Sequence, residues 1–253
     1  MVIIIPMGGN AKRLGSPDIP KPLTEISDGK TVLDYALEPL LSYYKNITLV
    51  PILPFESAGV NMEINERRRK WGIKLSLYMM AKYHEYPQMR YFQAKTNGVI
   101  DALAIACENL YYHPKLQIEP CIVLLPDTIQ LNFPKFFPDG NWITVADRTT
   151  SEGGLVEVSE FPPMEIINIS DESKYPFCEG QLTPSGIYHF RSLTLLSRGV
   201  SHVSESGYTN MSDLIRYFIL ADITVSAIHV GQMIDIGTPE ELIRVRKYFN
   251  KEN

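Results

Sequence analysis

The sequence predicts an α/β fold built on a mostly parallel, Rossmann-like mixed sheet. Three observations predict it. Short continuous apolar runs at 2–6, 47–53 and 121–125 read as strands covered on both faces. Helical patterns separate them, so the β–α–β–α order calls for crossover connections. After residue 142 the pattern changes to mainly strands.

The first run, Val2-Ile3-Ile4-Ile5-Pro6, lacks the basic lead and cleavage site of a signal peptide and is expected to be a buried strand. At 31–44, Leu33, Ala36, Leu37, Leu40, Leu41 and Tyr44 form one helical stripe. Thr31 can cap its start, with Asp34 three residues on. A helix is expected at 61–71, its Arg67-Arg68-Arg69-Lys70 run facing solvent. Ile73, Leu75, Leu77 and Met79 alternate with other residues, which predicts a half-buried strand. Ile100, Leu103, Cys107 and Leu110 mark the next helix. Strands follow at 142–146, 155–158, 165–169 and 185–190, then helices at 210–220 and 239–249. No linker interrupts the 253 residues, so one domain is expected, with lobes at 1–135 and 136–253.

Bulk properties narrow the function. The net charge of -5 argues against a nucleic-acid partner. No apolar run approaches the ~18 residues of a membrane span. Cys107, Cys121 and Cys178 are dispersed, which suits reduced thiols and a cytoplasmic location and leaves no cysteine zinc site. Homo-oligomerisation is compatible with this composition.

The segment after the first strand carries the chemistry. Gly8 and Gly9 can turn bare backbone N–H groups toward an anion. Arg13 and Lys21 add positive charge suited to polyphosphate. Gly8, Gly9 and Gly15 do not have the GxGxxG spacing of a dinucleotide fold. Gly29-Lys30-Thr31 ends like a P-loop, but Thr24 occupies its first glycine position and no buried strand precedes it. Gly29-Lys30 therefore reads as a turn before the helix.

Gly8-Gly9-x3-Arg13-Leu14, Pro20-Lys21-Pro22-Leu23 and Gly29-Lys30-Thr31-Val32-Leu33 together resemble the opening signature of the nucleotide-sugar pyrophosphorylases, or sugar-phosphate nucleotidyltransferases. Ala11 and Lys12 replace the Gly-Thr of the family's usual Gly-Gly-x-Gly-Thr-Arg-Leu. The resemblance continues in order along the chain. Gln93, Gly98 and Ala102 match the base-recognition stretch. Asp127, after Leu124-Leu125-Pro126, matches a metal-binding aspartate past an apolar strand. Asp235 matches a second one. It lies in Met233-Ile234-Asp235-Ile236-Gly237-Thr238-Pro239-Glu240-Glu241, whose Thr238, Pro239 and Glu241 also read as a helix start. Gly154, Glu157 and Tyr188 lie in segments resembling the strands around the sugar phosphate. Lys174 falls where the family has a Glu-Lys-Pro, with Ser173 in place of the Glu and Tyr175 before the Pro.

The resemblance implies a glycosyltransferase-A-like nucleotidyltransferase fold with extra strands forming a sugar-phosphate lobe. It implies transfer of NMP from an NTP to a sugar 1-phosphate, giving NDP-sugar and pyrophosphate. Mg²⁺ would be held by Asp127 and Asp235, and the triphosphate by Arg13 and Lys21. Gly8, Gly9, Asn10, Lys12, Gln93 and Gly98 would line the nucleotide site. Gly154, Glu157, Lys174 and Tyr188 would serve the acceptor. A phosphate monoester, with its second pKa of ~6, needs no general base to attack. Two alternatives stand beside this reading: a cytidylyltransferase for phosphocholine or another small phosphate, and a catalytically silent paralogue that senses nucleotide sugars. Ala11 and Lys12 motivate the second.

Overall fold

The computed structural model describes residues 1–8, 19–55, 62–86, 89–94, 98–134, 137–148, 154–160, 162–170, 178 and 180–250. The chain opens with β1 (Val2–Pro6) and a 3₁₀ turn (Lys21–Leu23). The hairpin β2 (Glu25–Ser27) and β3 (Lys30–Thr31) follows, turning at Asp28 and Gly29, both with positive φ. Asp-Gly is a favoured pair for such a two-residue turn. Next come α1 (Val32–Tyr43), β4 (Thr48–Pro54), α2 (Met62–Lys82), β5 (Phe92–Ala94), α3 (Val99–Tyr111) and the short α4 (Pro114–Gln117). β6 (Cys121–Leu124), β7 (Thr128–Gln130), β8 (Trp142–Asp147), β9 (Leu155–Val158), β10 (Ile166–Ser170) and β11 (Leu182–Phe190) form the strand-rich stretch. The chain closes with α5 (Leu193–Glu205), α6 (Met211–Leu220), β12 (Ser226–His229), β13 (Met233–Asp235) and α7 (Pro239–Phe249).

A nine-stranded sheet runs β10-β9-β11-β6-β1-β4-β5, with β8 beside β11 and β12 beside β8. β1 pairs in parallel with both β4 and β6, and β4 with β5. β11 runs antiparallel to β6 and β8, and β10 antiparallel to β9. The mostly parallel, mixed sheet is as predicted. Its apolar runs are continuous because both faces are covered. Ile3 and Ile5 pack into one core with Leu33, Leu37, Leu75 and Met79, whereas Val2 and Ile4 pack into the other with Leu103, Leu196 and Phe218.

Thr31 caps α1 as expected. Its hydroxyl accepts from the Asp34 N–H at 3.4 Å, and the Asp34 carboxylate accepts from the Thr31 N–H at 2.8 Å. The strand predicted over Ile73 to Met79 is a correction: these residues belong to α2. Trp71, Leu75 and Met79 are buried, whereas Ile73 and Leu77 are exposed. The burial period is therefore helical, and the apparent alternation mixed a buried stripe with an exposed one. α5 is an addition that the sequence reading passed over, although Leu193, Leu196, Val200 and Val203 form its buried stripe and Ser192 caps it. Within the basic run, Arg69 and Lys70 are exposed, but Arg68 is buried.

Candidate active site

The topology reverses at β1. The chain passes from β1 outward to β4 and β5, then returns through α3 to β6 on the other side of β1. Such a reversal leaves a crevice outside the carboxyl ends of the two central strands. The register pairs Ile4 with Val123, so both strands deliver their following residues to that edge. Gly8 follows β1 there, and Asp127 follows β6.

Asp235 reaches the same place by strand pairing. β13 runs antiparallel to β7, with Asp235 opposite Thr128, the neighbour of Asp127. The Ile236 N–H donates to the Asp127 carbonyl oxygen at 2.9 Å. Ile234 and Ile236 are buried with Ile26, Val32, Ile129 and Val245. Between them Asp235 keeps a half-exposed carboxylate, at 50%. The start of α7 secures this end: Glu241 Oε2 accepts from the Gly237 and Thr238 N–H groups, both at 2.9 Å, and Thr238 caps the helix as expected.

Lys21 completes the cluster. Its turn is closed by Leu23 N–H to Pro20 O at 2.8 Å and Thr24 N–H to Lys21 O at 3.1 Å. Pro22 is buried, which anchors the turn. The ammonium Nζ lies 3.3 Å from Asp235 Oδ1 and 3.5 Å from Asp127 Oδ2, and the side chain is only 18% exposed. Burial raises the Asp235 carboxyl above the ordinary aspartate range. Lys21 pulls it down, while Asp127 and Glu241 push it up, and the net shift is upward. Asp127 and Asp235 are the donor pair available to a divalent cation. Among the described residues, no group of three or more His, Cys, Asp or Glu stands together as a metal-binding set.

The sequence reading missed the support behind these carboxylates. Gln130 Nε2 donates to Thr144 Oγ1 at 2.9 Å and to the Ser185 carbonyl at 3.0 Å. Thr128 Oγ1 donates to the same carbonyl at 3.1 Å. These bonds tie β7 to β8 and β11, in addition to its pairing with β13. β7 is only three residues long, with Ile129 its single apolar residue, so it carries almost no pattern to read.

The other predicted residues are distributed differently. Gly9, Asn10, Lys12, Arg13 and Lys174 lie outside the described residues. Gln93 lies in β5, paired with Leu53 of β4. Gly98 caps α3, and a Cβ there would lie 2.7 Å from the Thr209 carbonyl oxygen, so close packing against Thr209 already demands glycine. Gly154 likewise passes the Ser170 carbonyl, 2.6 Å from where a Cβ would stand. Glu157 is exposed and accepts from Asn168 Nδ2 at 3.1 Å. Tyr188 is 4% exposed and packs within the core. Strand alternation turns it to the face opposite Ile187.

No protein-family model and no curated protein sequence matches the chain. Solved structures do. A nucleoside-diphosphate-sugar pyrophosphorylase from Vibrio cholerae RC9 superposes with a TM-score of 0.73 at 17% identity, covering 97% of this chain and 99% of that one. A UTP-bound UGPase from Acinetobacter baumannii gives 0.69 at 16% identity, covering 100% and 94%. A UDP-glucose pyrophosphorylase complexed with UDP-glucose gives 0.69 at 13% identity, covering 100% and 99%. Over its whole length, the chain has the fold of the nucleotide-sugar pyrophosphorylases.

Proposed function

We propose that this protein is a Mg²⁺-dependent nucleotidyltransferase that transfers NMP from an NTP to a sugar 1-phosphate, releasing pyrophosphate. One observation carries the reading. At the switch point of the sheet, three separate segments bring Lys21, Asp127 and Asp235 into one cluster, on a fold shared with proteins solved with UTP and UDP-glucose.

The donor set fits Mg²⁺. Both carboxylates reach a single cation, the Lys21 ammonium, and hard carboxylate oxygens with open sides suit an ion that takes its other ligands from phosphate and water. When bound, Mg²⁺ supplies positive charge that offsets the repulsion between two phosphates. The protein does the rest by position. Gly8 and the loop after it receive the triphosphate, with Arg13 and Lys21 as the charges on the departing pyrophosphate. Gln93 and Gly98 serve the base. Gly154, Glu157 and Lys174 serve the acceptor from the other lobe. Preorganised charge of this kind lowers the barrier because no solvent must reorganise during reaction.

The test is pyrophosphate release with Mg²⁺ across all common NTPs and a panel of sugar 1-phosphates and phosphocholine. Turnover with one NTP and a sugar 1-phosphate is expected. Turnover with phosphocholine alone would replace the acceptor class. Nucleotide binding with no turnover on any pair would overturn the enzyme reading.

A further inference from the structure

The position between Asp127 and Asp235 is already filled by a cation of the chain itself. Lys21 Nζ lies within 3.5 Å of an oxygen of each carboxylate. A metal ion midway between those two oxygens would lie no farther than 3.5 Å from Nζ. Metal and ammonium are like charges, and at that range their repulsion is strong. The Lys21 side chain is mostly covered, at 18% exposed, while the carboxylates are about half exposed, so water screens this repulsion only in part. Lys21 and a divalent cation therefore compete for this position.

We propose that Lys21 is a built-in counterion that keeps the carboxylate pair closed to divalent metal until an anionic ligand draws its ammonium away. The inference rests on the metal site of the proposed function and adds an order of loading to it. A polyphosphate arriving at this edge of the sheet offers Lys21 a stronger partner and supplies the oxygens a magnesium shell needs. Two carboxylates are too few donors to hold Mg²⁺ tightly by themselves, and among the described residues no further His, Cys, Asp or Glu completes a set. The anchoring of Lys21 fits this role. The buried Pro22 and the closed 3₁₀ turn hold its backbone, so only the side chain need swing between the carboxylates and the ligand.

The test measures Mn²⁺ binding to the intact protein by titration calorimetry and electron paramagnetic resonance, without nucleotide. Wild type is expected to bind Mn²⁺ weakly. Lys21→Met removes the charge and keeps the apolar stem, and it is expected to tighten Mn²⁺ binding tenfold or more. Lys21→Arg keeps the charge and is expected to stay as weak as wild type. Adding Asp235→Asn to Lys21→Met should abolish the gained affinity, which places the ion at this pair. Thermal melts confirm that each variant is folded. Lys21→Met binding no tighter than wild type, or Lys21→Arg tightening equally, would overturn the proposal. If wild type binds no Mn²⁺ even with saturating nucleotide, the metal site of the proposed function fails instead. The binding measurement is independent of whether any acceptor is turned over.

Discussion

Gly186 stands against Thr128 with no room for a side chain. A Cβ at Gly186 would lie 2.3 Å from Thr128 Oγ1 and 3.3 Å from the Leu125 carbonyl oxygen. Its φ of +89° also belongs to the region that side chains avoid. It sits in β11 where the register with β8 shifts, between Pro184 and Tyr188. The segment on either side of Asp127 thus approaches β11 closely where its register shifts. Gly186→Ala adds backbone strain of about 1–2 kcal/mol and overpacking of about 1–3 kcal/mol. The expected loss of stability is therefore about 2–5 kcal/mol, measured by urea denaturation, with activity falling further as Asp127 shifts.

The carboxylates themselves can be removed without undoing the fold. β7 and β13 are joined through backbone groups, including the Asp127 carbonyl, so the side chains are free of that task. Asp127→Asn and Asp235→Asn should each lower Mg²⁺-dependent turnover by ~10²–10³, with the circular dichroism spectrum unchanged. Full activity in either variant would remove that residue from the site.

Asp34 makes stability depend on acidity. It is fully buried and accepts from the hydroxyls of Tyr78 and Tyr83, the latter at 2.6 Å, with Lys82 Nζ at 2.7 Å. Burial pushes its carboxyl up, but bonds from Lys82, the Thr31 N–H, Tyr78 and Tyr83 outweigh it, and the pKa is lowered. A depressed carboxyl stabilises the fold above its unfolded value of ~3.9 and loses that contribution as pH falls through the folded value. Asp34→Asn should cost about 2–4 kcal/mol at neutral pH. Melts from pH 7 downward should show the gap to wild type narrowing below the ordinary carboxylate range.

The thiols should divide by burial. Cys107 and Cys121 are buried, and burial raises the Cys107 thiol to about 12 and Cys121 well above the usual value. Cys178 is exposed. A thiolate reagent at neutral pH should modify Cys178 in the native protein and reach the other two only on unfolding, a difference mass spectrometry resolves.

Much of this molecule was legible where local chemistry suffices. The strand runs at 2–6 and 121–125 declare themselves because both sheet faces must be covered, and Thr31 and Thr238 declare helix starts because a hydroxyl must meet orphan N–H groups. Ile73 to Met79 misled because a four-position window fits two periods, and only the burial of Trp71, Leu75 and Met79 against the exposure of Ile73 and Leu77 shows which is real. The burial of Tyr188 was not legible because sequence assigns a residue to a strand but not to a face.

The sequence by itself determined the class of fold, the residue types at the sheet's carboxyl edge and the helix starts, since these follow from periodicity, capping and motif spacing. Only the tertiary structure decided that Asp127 and Asp235 share one ammonium, and that Gln130, Thr128 and Gly186 hold them there. Those contacts join segments distant in the chain. They arise from strand register and close packing, which leave no local trace in residue order.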